Sequence, residues 1–233
     1  MDSHLIYHAN QMAHGMGGYS LFQIIMLTAG MVIWAFLYIY LAVRGLKTKF
    51  IQMPLVLACG NLVWEFLWGF IFQSKYEFWV MFGVGSAFLT DLAIFYAIWR
   101  YGALHQKVPF YAKNLRILSI FGILVWLMIW VAFKMQGMDT DGGGTSGNIL
   151  NAVIAVFWVN QLFHIKDLNL MSVRLGWFKL LADIPVALFM MNEFPDKPFA
   201  YIITWISVLF DIIYIWVYYR RKSGKLVLNY LNN

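Results

Sequence analysis

Charge is what this 233-residue sequence has least of: 12% of its residues are charged, against roughly 25% in ordinary soluble domains. Beside 62% hydrophobic residues, that leaves too little polar surface to cover the chain in water, and lipid is the expected solvent. Cysteine is nearly absent as well. The single Cys59 excludes an internal disulfide and most sulfur-based metal sites. There is no glycine-rich phosphate loop, no zinc-type histidine pair and no nucleophile elbow, so the usual signatures of soluble enzymes are missing. Asp139 and Asp141 stand beside Gly142, Gly143 and Gly144, a composition that marks a solvated turn more readily than a metal site. The first twenty residues neither begin with basic side chains nor end in a small-residue cleavage site, so no cleavable leader is expected and the mature chain should begin at Met1.

What the sequence does have is long apolar runs. A hydrocarbon core of about 30 Å needs about 20 such residues in a helix. Seven stretches qualify: Leu21 to Val43, Met53 to Phe72, Phe78 to Trp99, Ile117 to Met135, Asn148 to Ile165, Gly176 to Asn192 and Phe199 to Tyr219. The expected fold is therefore an all-α membrane protein of seven transmembrane helices. Residues 1–20 form an outer-face segment, 21–219 the helical domain and 220–233 a basic cytoplasmic tail. The connections are too short to hold a soluble catalytic or sensory domain. The first segment, with His4, Tyr7, His8, His14 and Tyr19, reads either as an amphipathic cap or as a disordered tail.

Orientation follows from the cations, which are retained on the cytoplasmic side. One set of connections carries Arg44, Lys47, Lys49, Arg100, Lys107, Lys113, Arg116, Lys166, Arg174, Lys179, Arg220, Arg221, Lys222 and Lys225, and the other only Lys75, Lys134 and Lys197. The amino terminus is expected outside and the carboxyl terminus in the cytoplasm. The net charge of +6 is then a topology signal, with anionic lipids as its partners, and it gives no reason to invoke nucleic acid. The membrane is a plasma membrane if the source is bacterial and the endoplasmic reticulum if it is fungal.

Asp91 is followed nine positions later by Arg100, and Asp211 nine positions later by Arg220, each across an apolar run. This suggests a parallel repeat of two helix triplets around one extra helix. A chance likeness between apolar helices is the plain alternative.

Four carboxyls lie within the spans: Glu65, Asp91, Asp183 and Asp211. Each charge at mid-membrane costs roughly 2.5–3.5 kcal/mol on insertion scales, so all four should face an interior. Their structural role would be to bridge helices by hydrogen bonds, at about 0.6 kcal/mol on average. Glu65 has the most informative neighbours. Asn61 and Glu65, four apart, share a helical face with Trp68 three positions further on. That face offers an amide, an acid and a large ring, and a poorly solvated cavity disfavours a charged carboxylate there, leaving a proton donor. Ser207, Asp211 and Tyr214 form a similar stripe on the last helix, with Tyr218 beyond them.

Tryptophan is plentiful, at 11 residues. Trp79, Trp99, Trp177 and Tyr219 suit the membrane interfaces. Trp34, Trp64, Trp68, Trp126, Trp130, Trp158, Trp205 and Trp216 fall deeper, where rings either pack helices or stabilise a cation by about 0.5–2 kcal/mol.

With Asn61, Trp64 and Glu65 in the second helix, an aspartate, Asp91, in the third and Asp211 near the middle of the last, the sequence resembles the small integral-membrane terpene cyclases of indole-diterpene and meroterpenoid pathways, the paxilline and pyripyropene type. Length, helix number and topology match across the chain. The resemblance implies a metal-independent, proton-initiated cyclase without a cofactor, in which two helix-borne acids open a terminal epoxide, or protonate an alkene, on a lipophilic prenylated substrate, and the carbocation closes rings. Carried over, Glu65 and Asp211 are the candidate catalytic acids. Asn61, Trp64, Trp68, Asp91, Trp158 and Tyr214 are the candidate substrate-site residues, and Asp183, beside Pro185, receives no role. A proton-coupled transporter with an acidic midplane site is the rival reading. A retinal-binding protein is disfavoured, because the last span lacks lysine and Lys179 is expected near the cytoplasmic end of its helix.

Overall fold

A computed structural model describes residues 19–72, 74, 77–106 and 108–226, with the backbone alone over 77–81. The amphipathic-cap reading of residues 1–18, Lys75, Lys107, the side chain of Trp79 and the end of the tail, 227–233, lie outside the described residues. Among those described, the chain forms seven long helices and no strand. They are α1 (Leu21–Thr48), α2 (Leu55–Phe66), α3 (Glu77–Tyr101), α4 (Pro109–Met135), α5 (Gly144–His164), α6 (Val173–Glu193) and α7 (Pro198–Lys222). The all-helical fold expected from the sequence is thus present. Hydropathy placed several ends too far inside. α4 begins at Pro109 instead of Ile117, with proline at its first position where no helical N–H is needed. α1 runs on to Thr48 and α7 to Lys222, because their basic last turns extend beyond the apolar run that hydropathy detects.

Five helices, α1, α3, α4, α5 and α7, contain stretches long and apolar enough to cross a membrane. Their outward faces carry large apolar side chains such as Phe36, Phe82, Leu89, Phe121 and Met128, as a lipid-facing surface requires. α2 is shorter and passes into a π-helical turn over Leu67–Ile71. α6 carries Lys179, Asp183 and Pro185. Pro185 cannot donate to the Leu181 carbonyl, so this helix has a gap in its ladder. Both are largely buried by their neighbours: every residue of α2 from Leu57 to Val63 is buried, and Lys179 and Asp183 have no exposed surface.

The principal contacts of the first and last triplets come in equivalent pairs. α3 packs on α1 and α2 as α7 packs on α5 and α6, and α1 meets α6 as α5 meets α2. α4, the linking helix, lies against α2, where Trp126 Nε1 donates to the Val56 carbonyl (2.7 Å) and Trp130 Nε1 to that of Gly60 (3.1 Å). The two triplets thus use the same helix partners, whatever their relative direction. At one membrane edge two arginines hold the α5–α6 connection. Arg44 donates to the carbonyls of Leu170 (2.8 Å), Asn169 (2.7 Å) and Met171 (3.2 Å), and Arg221 to those of Leu162 and Ile165. They satisfy carbonyls that a helix end leaves without partners.

Lys179 corrects the charge map. Expected among the cytoplasmic loop cations, it sits in the second turn of α6 with a fully buried side chain and belongs to the interior. Trp205 and Trp216, expected deep in their spans, face outward at 37% and 59% exposure and so do not line the interior.

Candidate active site

The interior acids form two clusters, each built on an i, i+4 pair. One helical turn places Asn61 and Glu65 on the same face of α2, and α3 brings Asp91 against them. Asn61 Nδ2 lies 2.5 Å from Asp91 Oδ2, 2.8 Å from the Tyr38 hydroxyl and 3.3 Å from Glu65 Oε1. An amide has two N–H groups, so these three acceptors compete for two protons. The Glu65 and Asp91 carboxyls are themselves close enough to hydrogen-bond once one holds a proton. Glu65 Oε2 is buried and receives no hydrogen bond from the described residues.

The second cluster repeats the plan with a cation. Lys179 and Asp183 share a face of α6, and α7 contributes Ser207 and Asp211. Lys179 Nζ lies 2.8 Å from Asp183 Oδ2, 3.1 Å from Asp211 Oδ1 and 2.6 Å from Ser207 Oγ. Asp183 Oδ2 also accepts from Asn151 of α5 (2.8 Å) and from the Ser207 hydroxyl (2.6 Å). All of Lys179, Asp183, Ser207 and Asp211 are at most 1% exposed. A pair so enclosed is costly to break, because removing one partner strands the other charge.

α1 links the clusters. Tyr38 reaches the first through Asn61, its ring stands 5.4 Å from that of Trp34, and Trp34 lies 5.6 Å from Lys179 Nζ, within cation–π range. Glu65 and Asp211 therefore belong to separate hydrogen-bonded groups joined by two aromatic rings.

The remaining predicted residues fall in two other places. Trp64 donates from Nε1 to Ser146 Oγ (2.8 Å), and Ser146 donates to Asp139 Oδ2 (2.5 Å) while its N–H donates to Oδ1 (3.0 Å). Asp139 is thus half-buried and fastens the start of α5, unlike the solvated turn expected. Burial pushes its carboxyl above the ordinary aspartate value, opposed by those hydrogen bonds. Trp68 is buried beside Gly143, whose φ of +74° suits glycine, and a Cβ there would meet the indole at 2.5 Å. Lys134 stacks on Trp68 at 4.5 Å. Trp158 and Tyr214, expected in the substrate site, pack together in the core at 5.9 Å. The Tyr214 hydroxyl accepts from Gln52 (2.8 Å) and donates to the Ser172 carbonyl (3.0 Å), so both its capacities are committed to a helix connection. A shallow depression of about 280 Å³ on the outer face of α1 and α6, lined by Phe36, Ile39, Tyr40, Val43 and Phe178, is open to lipid.

Sequence reasoning missed Lys179, Asn151, Tyr38 and Gln52. The i, i+4 spacing that singled out Asn61 and Glu65 recurs at Lys179 and Asp183 and was a usable signal. Tyr38, one aromatic in an apolar run, carried none.

Comparison with known proteins bears on this arrangement. The model of a family described as Pyr4-like transmembrane terpene cyclases matches residues 17–223. The terpene cyclase macJ of Penicillium terrestre is 30% identical over 84% of this chain and 81% of its own. The terpene cyclase ascF of Acremonium egyptiacum is 26% identical over 84% and 80%. The Pyr4-family terpene cyclase mfmH of Annulohypoxylon moriforme is 33% identical over 43% of this chain and 41% of its own. No solved structure matches. The transporter reading finds no support in these comparisons.

Proposed function

The chain belongs to the Pyr4-like transmembrane terpene cyclases, and from that premise we propose that it opens the terminal epoxide of a lipophilic prenylated substrate by protonation and guides the carbocation through ring closure. The observation that carries this reading is the Asn61–Glu65–Asp91 cluster, where two carboxyls adjoin in an apolar interior and, among the described residues, only the Asn61 amide donates to Glu65. Protonating an epoxide needs an acid that keeps its proton, and general acid catalysis contributes about 10²–10⁴ in rate. Glu65 and Asp211 are the reacting carboxyls in this reading. Asn61 orients Glu65, Asp91 supports it, and Trp64 and Trp68 close the end of α2 beyond them. An apolar surround keeps water from quenching the cation. No diphosphate leaves in such a reaction, so the chemistry asks for no metal. The amino terminus lies outside and the carboxyl terminus in the cytoplasm, as the terminal cations favour once Lys179 is removed from their number.

The test is to incubate membranes containing the protein with an epoxidised prenyl substrate and to analyse the products by mass. A cyclic isomer of unchanged mass is expected. Recovery of unreacted epoxide, or of a diol alone, would overturn the proposal.

A further inference from the structure

The two clusters occupy equivalent places in the two triplets. Asn61 and Lys179 each stand four residues before an acid on the second helix, and each also reaches the aspartate of the third. Asp91 and Asp211 both sit near the middle of a 25-residue helix. One position differs in kind: the bridging group is a neutral amide in the first triplet and an ammonium in the second. Among the described residues no lysine or arginine pairs with Glu65 or Asp91.

We infer that the repeat has been made chemically unequal at this position, so that the Glu65–Asp91 pair delivers the initiating proton and Lys179 holds the Asp183–Asp211 pair as the base that ends the reaction. The inference rests on the cyclase reading above. Two adjoining carboxyls bridged by a neutral amide share one proton, since like charges cannot both stand in an apolar interior. A lysine between two carboxyls supplies the charge that lets a carboxylate persist there. One cluster is thereby suited to give a proton and the other to take one.

The proton count closes on this division. The Glu65–Asp91 pair transfers its proton to the epoxide oxygen, and the C–O bond breaks with its electron pair going to oxygen, leaving a hydroxyl and a tertiary cation. Double-bond electron pairs then form the new C–C bonds. At the last cation a neighbouring C–H bond gives its pair to a new C=C bond and its proton to the Asp211 carboxylate. The product is an isomer of the substrate, and one proton must return from the second cluster to the first. Trp34 and Tyr38 stand between the clusters, Tyr38 touching the first through its hydroxyl on Asn61 and Trp34 the second through its ring beside Lys179 Nζ. Lys179 in this scheme is a positioning residue: it acts through Asp211 and does not touch the substrate.

Lys179→Asn makes the second cluster resemble the first, an arrangement this fold already accommodates. In membranes supplied with the epoxide, Lys179→Asn is expected to keep consuming substrate while its product shifts from one isomer to a mixture of displaced alkenes and alcohols one water heavier. Lys179→Arg, which retains the cation, is expected to keep the single isomer. A wild-type product ratio from Lys179→Asn, at whatever reduced rate, would overturn the inference, as would a mixture from Lys179→Arg, since the effect would then follow shape and not charge. Should Lys179→Asn fail to reach the membrane, Lys179→Asn/Asp183→Asn removes one negative charge with the positive one, and the same ratio decides. Absence of any cyclic product from the unaltered protein would instead sink the cyclase reading itself.

Discussion

The first and second helix triplets carry acids at matching places, yet they hold them differently. Around Glu65 and Asp91 the donors are neutral, a single amide serving three acceptors. Around Asp183 and Asp211 an ammonium, a hydroxyl and a second amide converge on one carboxylate oxygen. The comparison teaches that burial alone does not fix what an acid does. In the reading proposed above, two pairs of carboxyls in equally dry surroundings act as a proton source or as a charge-compensated base according to one neighbouring side chain. It also separates two kinds of fragility: the first cluster should be easily disarmed without unfolding, and the second should resist removal because its partners depend on one another.

The largest effect expected is on turnover at the first cluster. Glu65→Gln keeps the shape and the hydrogen bond to Asn61 but removes the transferable proton, so cyclisation should fall by about 10²–10⁴ at matched membrane levels. A carboxyl that only bridged helices would tolerate the amide, and near-full turnover would remove the distinction between the clusters.

The next effect is on stability at the second. Lys179→Met leaves two adjoining carboxyls without their cation, and losing one partner of a buried pair costs about 3–5 kcal/mol. Asn61→Ala, the matching change in the first cluster, should cost about 1–3 kcal/mol. Thermal unfolding in detergent, followed for both variants, gives the order; equal losses would mean that the clusters are energetically alike. Asp183→Asn should lower the folded fraction more than Asn61→Ala, yet reduce turnover per folded molecule less than Asp211→Asn does.

Smallest is the change at Tyr214, which lies beyond both clusters on the α7 stripe. Tyr214→Phe removes hydrogen bonds to Gln52 and Ser172 and should cost about 1 kcal/mol, leaving the product pattern as it was. An altered product pattern would return Tyr214 to the substrate site.

Much of this is legible in the sequence. Apolar length gives seven helices, and helical spacing puts Asn61 with Glu65 and Ser207 with Asp211 and Tyr214 on buried faces, where they are found. Lys179 was misread because a lysine at the very start of an apolar run, here Gly176 to Asn192, looks like a cation of the preceding connection. Its side chain turns inward to meet Asp211, which comes from another helix. The separation of Glu65 from Asp211 by Trp34 and Tyr38 is a packing fact between α1 and its neighbours, with no trace in local spacing. The anchoring of Trp64 to Ser146 and Asp139 likewise needs the end of α2 brought against the start of α5 and the connection before it.

The most direct test of the account follows the oxygen. A prenyl substrate labelled with heavy oxygen in its terminal epoxide is given to membranes bearing the unaltered protein and, in parallel, the Glu65→Gln variant. The account predicts a cyclic isomer that retains the whole label as a hydroxyl, formed by the unaltered protein and nearly absent with Glu65→Gln. Loss of the label from the cyclic product, or its formation by Glu65→Gln at close to the unaltered rate, would contradict it.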